Sequence, residues 1–484
     1  MAWANRQRAG RIPPQRSRPS PPQRGPTACK ARPAEPVAKS SPVGVQADIS
    51  APRRDVAPAR SPMTPVASSV AEPIAGAPPA SIPPQVETVP PPAPPPQPAL
   101  QKPAPKRELR LDLFRGLALW LIFIDHLPAN ILTWLTIRNY GFSDATEIFI
   151  FISGYTAAFV YGRAMRDQGV VVASARIMKR VWQIYVAHVF LFTIFLAEIS
   201  YVANSFQNPL YTEEMGILDF LKQPDVTIVQ ALLLRFRPVN MDVLPLYIVL
   251  MFFLPPILWM MRRSPDVALA LSTFLYAATW QFDLHLTAYP SGVWAFNPYA
   301  WQLLFVFGAW CAMGGAQRLS RVLASPITLW VAVAYLLAAF FVTLTWHMPQ
   351  LFHTLPKWLE QWMYPIDKPN LDVLRFAHFL ALAAITVRFL HRDWRGLNSI
   401  WLRPLILCGQ HSLEIFCLGI FLAFAGYFVL AEIAGGAVMH FFVSLTGIII
   451  MSASAWLFSW YKNAAAKGGS QKTSPDADLA GGDA

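Results

Sequence analysis

One stretch of this sequence sets ionisable side chains inside an otherwise apolar run: Arg110-Leu-Asp112-Leu-Phe-Arg115-Gly, then Asp125-His126-Leu-Pro128. Eleven residues of helix make three turns plus about 20°, so Arg115 and His126 project from one face, about 16 Å apart along the axis. Asp112 falls about 40° to the other side of His126. Pro128 cannot donate to the carbonyl of Ile124 and is expected to kink the helix beside the histidine. An imidazole with a pKa of about 6.5 can take a proton from an attacking hydroxyl at neutral pH. Asp125 can orient that ring or balance its charge, and a guanidinium at Arg115 suits a phosphate or carboxylate of a thioester donor. The chemistry is acyl transfer, with His126 as general base. The plainer alternative has Arg115 anchoring the helix at lipid headgroups and His126 simply packed.

A second polar set opens Asp144-Ala-Thr-Glu147 and runs on to Ser153-Gly154-Tyr155. Gly154 would let another backbone approach closely. Nothing around Ser153 resembles a strand-to-helix nucleophile elbow, so it is read as a hydrogen-bonding or packing residue. Further candidates to line a substrate path are Arg180 and His188, Asp242 before Leu-Pro-Leu-Tyr247, Trp301 and Gln302 after Asn297-Pro, and His411 with Glu414. Trp301 suits sugar stacking, although Trp and Tyr also form ordinary belts at membrane interfaces. His378 lies within an apolar stretch, whereas His285, His347, His353 and His440 carry no chemical signal. The cysteines are Cys29, Cys311, Cys408 and Cys417, with no CxxC and no His/Cys clustering. No metal and no tightly bound cofactor is expected.

The elements that position these residues must lie in lipid. The chain is 54% hydrophobic and only 14% charged, against about 25% charged in a soluble domain. The net charge of +12 would suggest nucleic acid, but residues 1–107 hold 15 Lys/Arg against 5 Asp/Glu, and residues 108–462 hold 23 against 20. The excess sits in one tail, so nucleic acid is excluded as a partner. Residues 1–107 also hold 27 of the 44 prolines and cannot bury enough apolar surface to fold. They read as a disordered cytoplasmic tether, the alternatives being a dock for a proline-binding module or for anionic lipid. No apolar run follows the early arginines, so no secretory signal is expected. Residues 463–484 read as a second disordered tail.

Apolar stretches long enough to span about 30 Å of hydrocarbon recur from Leu111 to Tyr461. Ten are read, at roughly 111–135, 146–163, 181–203, 243–261, 265–283, 299–316, 327–346, 372–390, 404–431 and 436–460, with 226–238 too short to span and read as interfacial or re-entrant. Lys and Arg concentrate on the cytoplasmic side. Here Arg163, Arg166, Arg176, Lys179 and Arg180 follow span two, Arg262 and Arg263 span four, Arg318 and Arg321 span six. Glu213, Glu214, Asp219, Asp225, Trp358, Glu360, Trp362 and Asp367 occupy opposite loops. The fold class is therefore an all-α integral membrane protein of about ten transmembrane helices, both termini cytoplasmic, with 108–462 as the membrane domain.

Arg115 followed by ten residues and His126 resembles the Arg-x10-His signature of the acyltransferase-3 superfamily, and Phe151-Ile-Ser153-Gly154-Tyr155 its second-helix Ser-Gly-aromatic element. More narrowly, Arg110-x-Asp112-x-x-Arg115-Gly, Asp125-His126, Glu147 through Tyr155, Asp242-x-Leu-Pro-Leu-Tyr247 and Asn297-Pro-x-x-Trp301-Gln302 resemble the OpgC branch, over roughly 108–460. That resemblance implies succinylation of osmoregulated periplasmic glucans at the bacterial inner membrane. His126 would then be the catalytic imidazole, Arg115 a donor-positioning cation, and succinyl-CoA or acetyl-CoA the donor substrate.

The competing function class is a transporter or flippase of an acidic metabolite or glycan precursor, disfavoured by the lack of internal repeats. A structural scaffold would not need so many deep ionisable residues. The loop charges make one prediction directly. A periplasm-dependent phosphatase fused within 163–180 should be inactive and one fused within 210–225 active; the reverse pattern would invert the topology.

Overall fold

A computed structural model describes residues 108–471 apart from 128–129, 207–209, 353–355 and 434. The proline-rich tail, the Pro128 kink and the last thirteen residues lie outside the described residues. Among those described, the fold is all-helical, with one isolated bridge between Thr287 and Val293. Five helices are long and apolar enough to cross a membrane, six if one bent pair counts as a single span. The chain is a multi-pass membrane protein.

Helix α1 (Leu109–His126) is 18 residues long. It carries Arg110, Asp112, Arg115 and Asp125, which set it apart from the plainly apolar spans. It ends at His126, and the chain continues as 3-10 turns at Ile131–Leu135 and Ile137–Asn139, so the helix stops nine residues before the expected span end at 135. Helix α2 (Ala145–Asp167) starts on Asp144, whose side chain accepts from the Thr146 amide while Glu147 reaches back to the Asp144 amide. This reciprocal cap satisfies two otherwise orphaned donors. Helix α3 (Gly169–Ser205) runs unbroken for 37 residues. The segment read as re-entrant holds the nine-residue α4 (Pro224–Leu232).

Helices α5 (Val243–Phe252) and α6 (Leu254–Arg263) meet at a 48° bend. Pro255 and Pro256 lack the amide hydrogens a continuous helix would need there. Helix α7 (Pro265–Phe282) leads to α8 (Pro298–Trp310), which breaks at Gly314, φ +115°, before α9 (Ala316–Ala324). Helices α10 (Pro326–His347) and α11 (Val373–Phe389) coincide with spans expected from hydropathy. The stretch 404–431 is divided at His411 into α12 (Arg403–Gln410) and α13 (Ser412–Phe428). Helix α14 (Ala437–Gln471) extends past the expected end near 460.

Helix α1 packs against α2, α12 and α13, and α2 packs closely on α8. Two glycine contacts set these distances. A Cβ on Gly154 would sit 2.0 Å from the Phe305 carbonyl oxygen, and one on Gly308 2.2 Å from that of Phe151. Gly116 and Gly409 make the same reciprocal approach between α1 and α12, at 1.8 Å to the Leu405 oxygen and 1.9 Å to that of Asp112. Phe123, Phe195, Trp301 and Phe305 fill the interior, whereas Phe190, Phe274, Ile327 and Trp330 face outward, as lipid-facing residues do. Gly154→Val should therefore force α2 and α8 apart. Overpacking of this kind costs about 1–3 kcal/mol, read as a lower melting temperature and folded yield in detergent than for Ala157→Val.

Candidate active site

The lower part of the α1 stripe faces a cavity of about 150 Å³. Its wall includes Arg115, Ser153, Thr156, Arg180, Tyr247 and Ser412 beside apolar residues such as Phe149 and Phe416. Arg115 donates to Thr156 Oγ1 at 2.5 Å and to the Gly409 carbonyl at 3.4 Å, with the Asp112 carboxylate 3.9 Å away. Arg180 enters from α3 and donates to Gln183 at 3.3 Å. The structure thus brings Arg115, Ser153 and Arg180, singled out on three different helices, to one polar cavity. Arg115 is buried between helices and not spread at a headgroup surface.

His126 lies at the other end of the stripe, half-buried at the α1 C-terminus. Its Nδ1 is 2.5 Å from the Ile122 carbonyl oxygen. A carbonyl only accepts, so Nδ1 carries the hydrogen and Nε2 keeps its lone pair, the tautomer a base requires. The ring is held by Ile122. The Asp125 carboxylate instead accepts from Thr136 at 2.7 Å and has the Arg138 guanidinium 4.0 Å away. Successive residues on a helix point about 100° apart, which carries these neighbours to different partners.

The charges acting on the His126 ring from outside α1 and its following loop are Lys368 and Asp144. They belong to a four-membered ion cluster. Glu147, 0% exposed, receives Arg375 Nε at 2.9 Å and NH2 at 2.6 Å. The same guanidinium reaches Asp144 at 3.2 Å, and Lys368 Nζ meets Asp144 at 2.6 Å. Burial pushes the Asp144 carboxyl up, but Lys368 and Arg375 prevail and hold it well below the usual carboxylate range. The Lys368 side chain is 42% exposed and lies over the Phe296 ring at 5.3 Å. Its loop is pinned by Trp301 Nε1, which donates to the Lys368 and Pro369 carbonyls at 3.2 and 3.1 Å. The arrangement leaves a partly exposed imidazole with an available Nε2, beside an ion cluster whose Lys368 ammonium is bound to Asp144.

A family model described as OpgC protein matches residues 107–463, nearly the whole described region. The chain belongs to the OpgC family. Membership implies an acyltransferase with a glucan substrate. No curated protein and no solved structure matches the chain.

In this OpgC chain the other sequence candidates fall in varied surroundings. Trp301 is 0% exposed and serves the 368–369 loop, presenting no face to a sugar. Gln302 cross-links α8 to α7 through Ser272. His188 is buried against α4 with Nδ1 unpartnered among the described residues. Asp242 pairs with Arg237 at 3.1 Å. His411 contacts Ser459 Oγ at 2.8 Å, and Glu414 is exposed on α13. Sequence reasoning passed over Lys368 and Arg375. Arg375 was detectable: it is a cation three residues before His378 in an apolar stretch, the same signal that marked Arg115. Removing it exposes the logic of the cluster. Arg375→Met should leave Glu147 buried and unpaired at a cost of about 3–5 kcal/mol, seen as a large fall in melting temperature, and adding Glu147→Gln should recover part of it.

Proposed function

We propose that this OpgC chain is a ten-span inner-membrane O-acyltransferase. It moves an acyl group, succinyl with acetyl as the alternative, from a cytoplasmic acyl-CoA to hydroxyls of a periplasmic glucan. The supporting observation is that one helix carries both halves of the chemistry. Arg115 lines a two-arginine cavity, and three turns along α1 stands an imidazole whose Nε2 is left free to accept by the Nδ1–Ile122 hydrogen bond. With the N-terminus of α1 cytoplasmic, the cavity faces the donor and His126 the acceptor.

Arg115 and Arg180 hold the donor's phosphates, which suit planar guanidinium forks, while its thioester arm extends along α1. His126 Nε2 takes the glucan hydroxyl proton as the oxygen attacks the thioester carbonyl. The C–O bond forms, the C–S bond breaks, and the proton passes from the imidazolium to the departing thiolate. Lys368, whose charge acts on His126, is assigned to offset the developing oxyanion.

His126→Ala should cut transfer by about 10²–10⁴ while inserting normally, since an apolar replacement makes the span easier to insert. Arg115→Lys keeps the charge and loses the fork, so it should raise the donor concentration needed and recover with excess acyl-CoA. Glycan intact mass normalised to immunoblotted enzyme in the same membranes decides the matter. Near-wild-type turnover in His126→Ala would end this mechanism.

A further inference from the structure

Arg237 stands apart from the machinery above and is the least satisfied charge among the described residues. It lies in the segment between α4 and α5. That segment is fixed by Phe236, which packs on Phe192 and Tyr289 at 6.2 and 6.5 Å, and by the Tyr289 amide donating to the Arg235 carbonyl at 2.9 Å. The Arg237 side chain is only 4% exposed. Its guanidinium stacks on the Trp294 ring at 4.3 Å, and its Nε side faces Asp242 at 3.1 Å. Neither Nε nor NH1 completes a hydrogen bond among the described residues. Its charge acts on the buried His188, whose Nδ1 is also unpartnered among the described residues.

A buried guanidinium with open donors costs free energy unless something supplies acceptors. The Trp294 indole face, and the Asp242 carboxylate on the Nε side, hold this one in position and leave its NH1 donor to meet an anion. The Lys368 ammonium acts electrostatically on both Asp242 and His126, so the Arg237–Asp242 pair and the proposed base share one charged neighbourhood. We infer that Arg237 is a specificity residue whose open donors seat a substrate carboxylate, the terminal carboxylate of a dicarboxylic acyl group. This rests on the acyl-transfer reading above and names the side chain that would select the acyl class. The same chemistry could instead come from an anionic substituent on the glucan, and the experiment separates the two sources.

The comparison is between succinyl-CoA and butyryl-CoA, which differ by a carboxylate in place of a methyl group, using the full chain in membranes and one neutral glucan. A site built to hydrogen-bond a substrate group rejects the analogue lacking it strongly, by about 10⁴ or more in the best cases. Wild type should prefer succinyl by at least about tenfold, and Arg237→Met should lower the succinyl-to-butyryl ratio by about tenfold or more. Arg237→Lys should retain part of it. Equal losses with both donors, or an unchanged ratio, would overturn the assignment; a loss confined to anionic glucans would transfer it to the acceptor and overturn it likewise. Should Arg237→Met fail to fold, the purified wild-type chain provides a second reading: free succinate should raise its melting temperature more than butyrate, and Arg237→Gln should abolish the difference. No difference in wild type would refute the site. Wild-type membranes that transfer neither acyl group would refute the acyltransferase reading itself, and the succinate shift would still test Arg237.

Discussion

The ion cluster at the start of α2 is the interaction on which the candidate site depends. Two carboxylates three residues apart close the helix cap on each other and then take a guanidinium from α11 and an ammonium from the 367–372 loop. Burying such charges costs several kcal/mol per ion unless every lone pair and proton is used. Here the cap amides and the two cations supply the carboxylates with partners, and Trp301 fixes the loop that carries Lys368. The result is a junction where α2, α8 and α11 share one set of polar contacts. Lys368 is held at its rim by the Asp144 carboxylate.

Much of this was legible in the residues, and the failures have a common cause. The Arg115–His126 face follows from helical periodicity alone, whereas sequence reasoning passed over the capping pattern that the Asp144–Glu147 spacing spells out. Periodicity says which side chains share a face; it does not say which distant segment comes to meet them. Glu147 and Arg375 are 228 positions apart, and Lys368 lay in a loop recognised only by its acids and tryptophans. Trp301 shows the same gap from the other side. An aromatic beside polar residues suits a sugar, but packing turned its indole inward to hold a backbone. Helix ends were missed where hydropathy runs through a break, as at His126 and His411, because apolar side chains continue past the point where the backbone turns.

The two ends of the α1 stripe also divide the work by environment. Arg115 sits among backbone carbonyls and hydroxyls that leave it room for a further anion in the adjoining cavity. His126 is the last residue of its helix, and its ring folds back on the carbonyl four residues earlier, that of Ile122, which captures Nδ1. The backbone of its own helix thereby sets the imidazole tautomer, without assistance from an acid.

The reciprocal glycine contacts reach beyond helix packing. In alternating access, two bodies part on one face of the membrane as they close on the other. The paired seams of Gly154 with Gly308 and of Gly116 with Gly409 bring backbone onto backbone, with no side chains between to roll or slide over one another. Either seam could open only by surrendering its contacts along the whole crossing, so α2 with α8 and α1 with α12 behave as welded pairs. Any rearrangement of this fold would therefore carry each pair as one body, with the opening falling between the pairs and not within them.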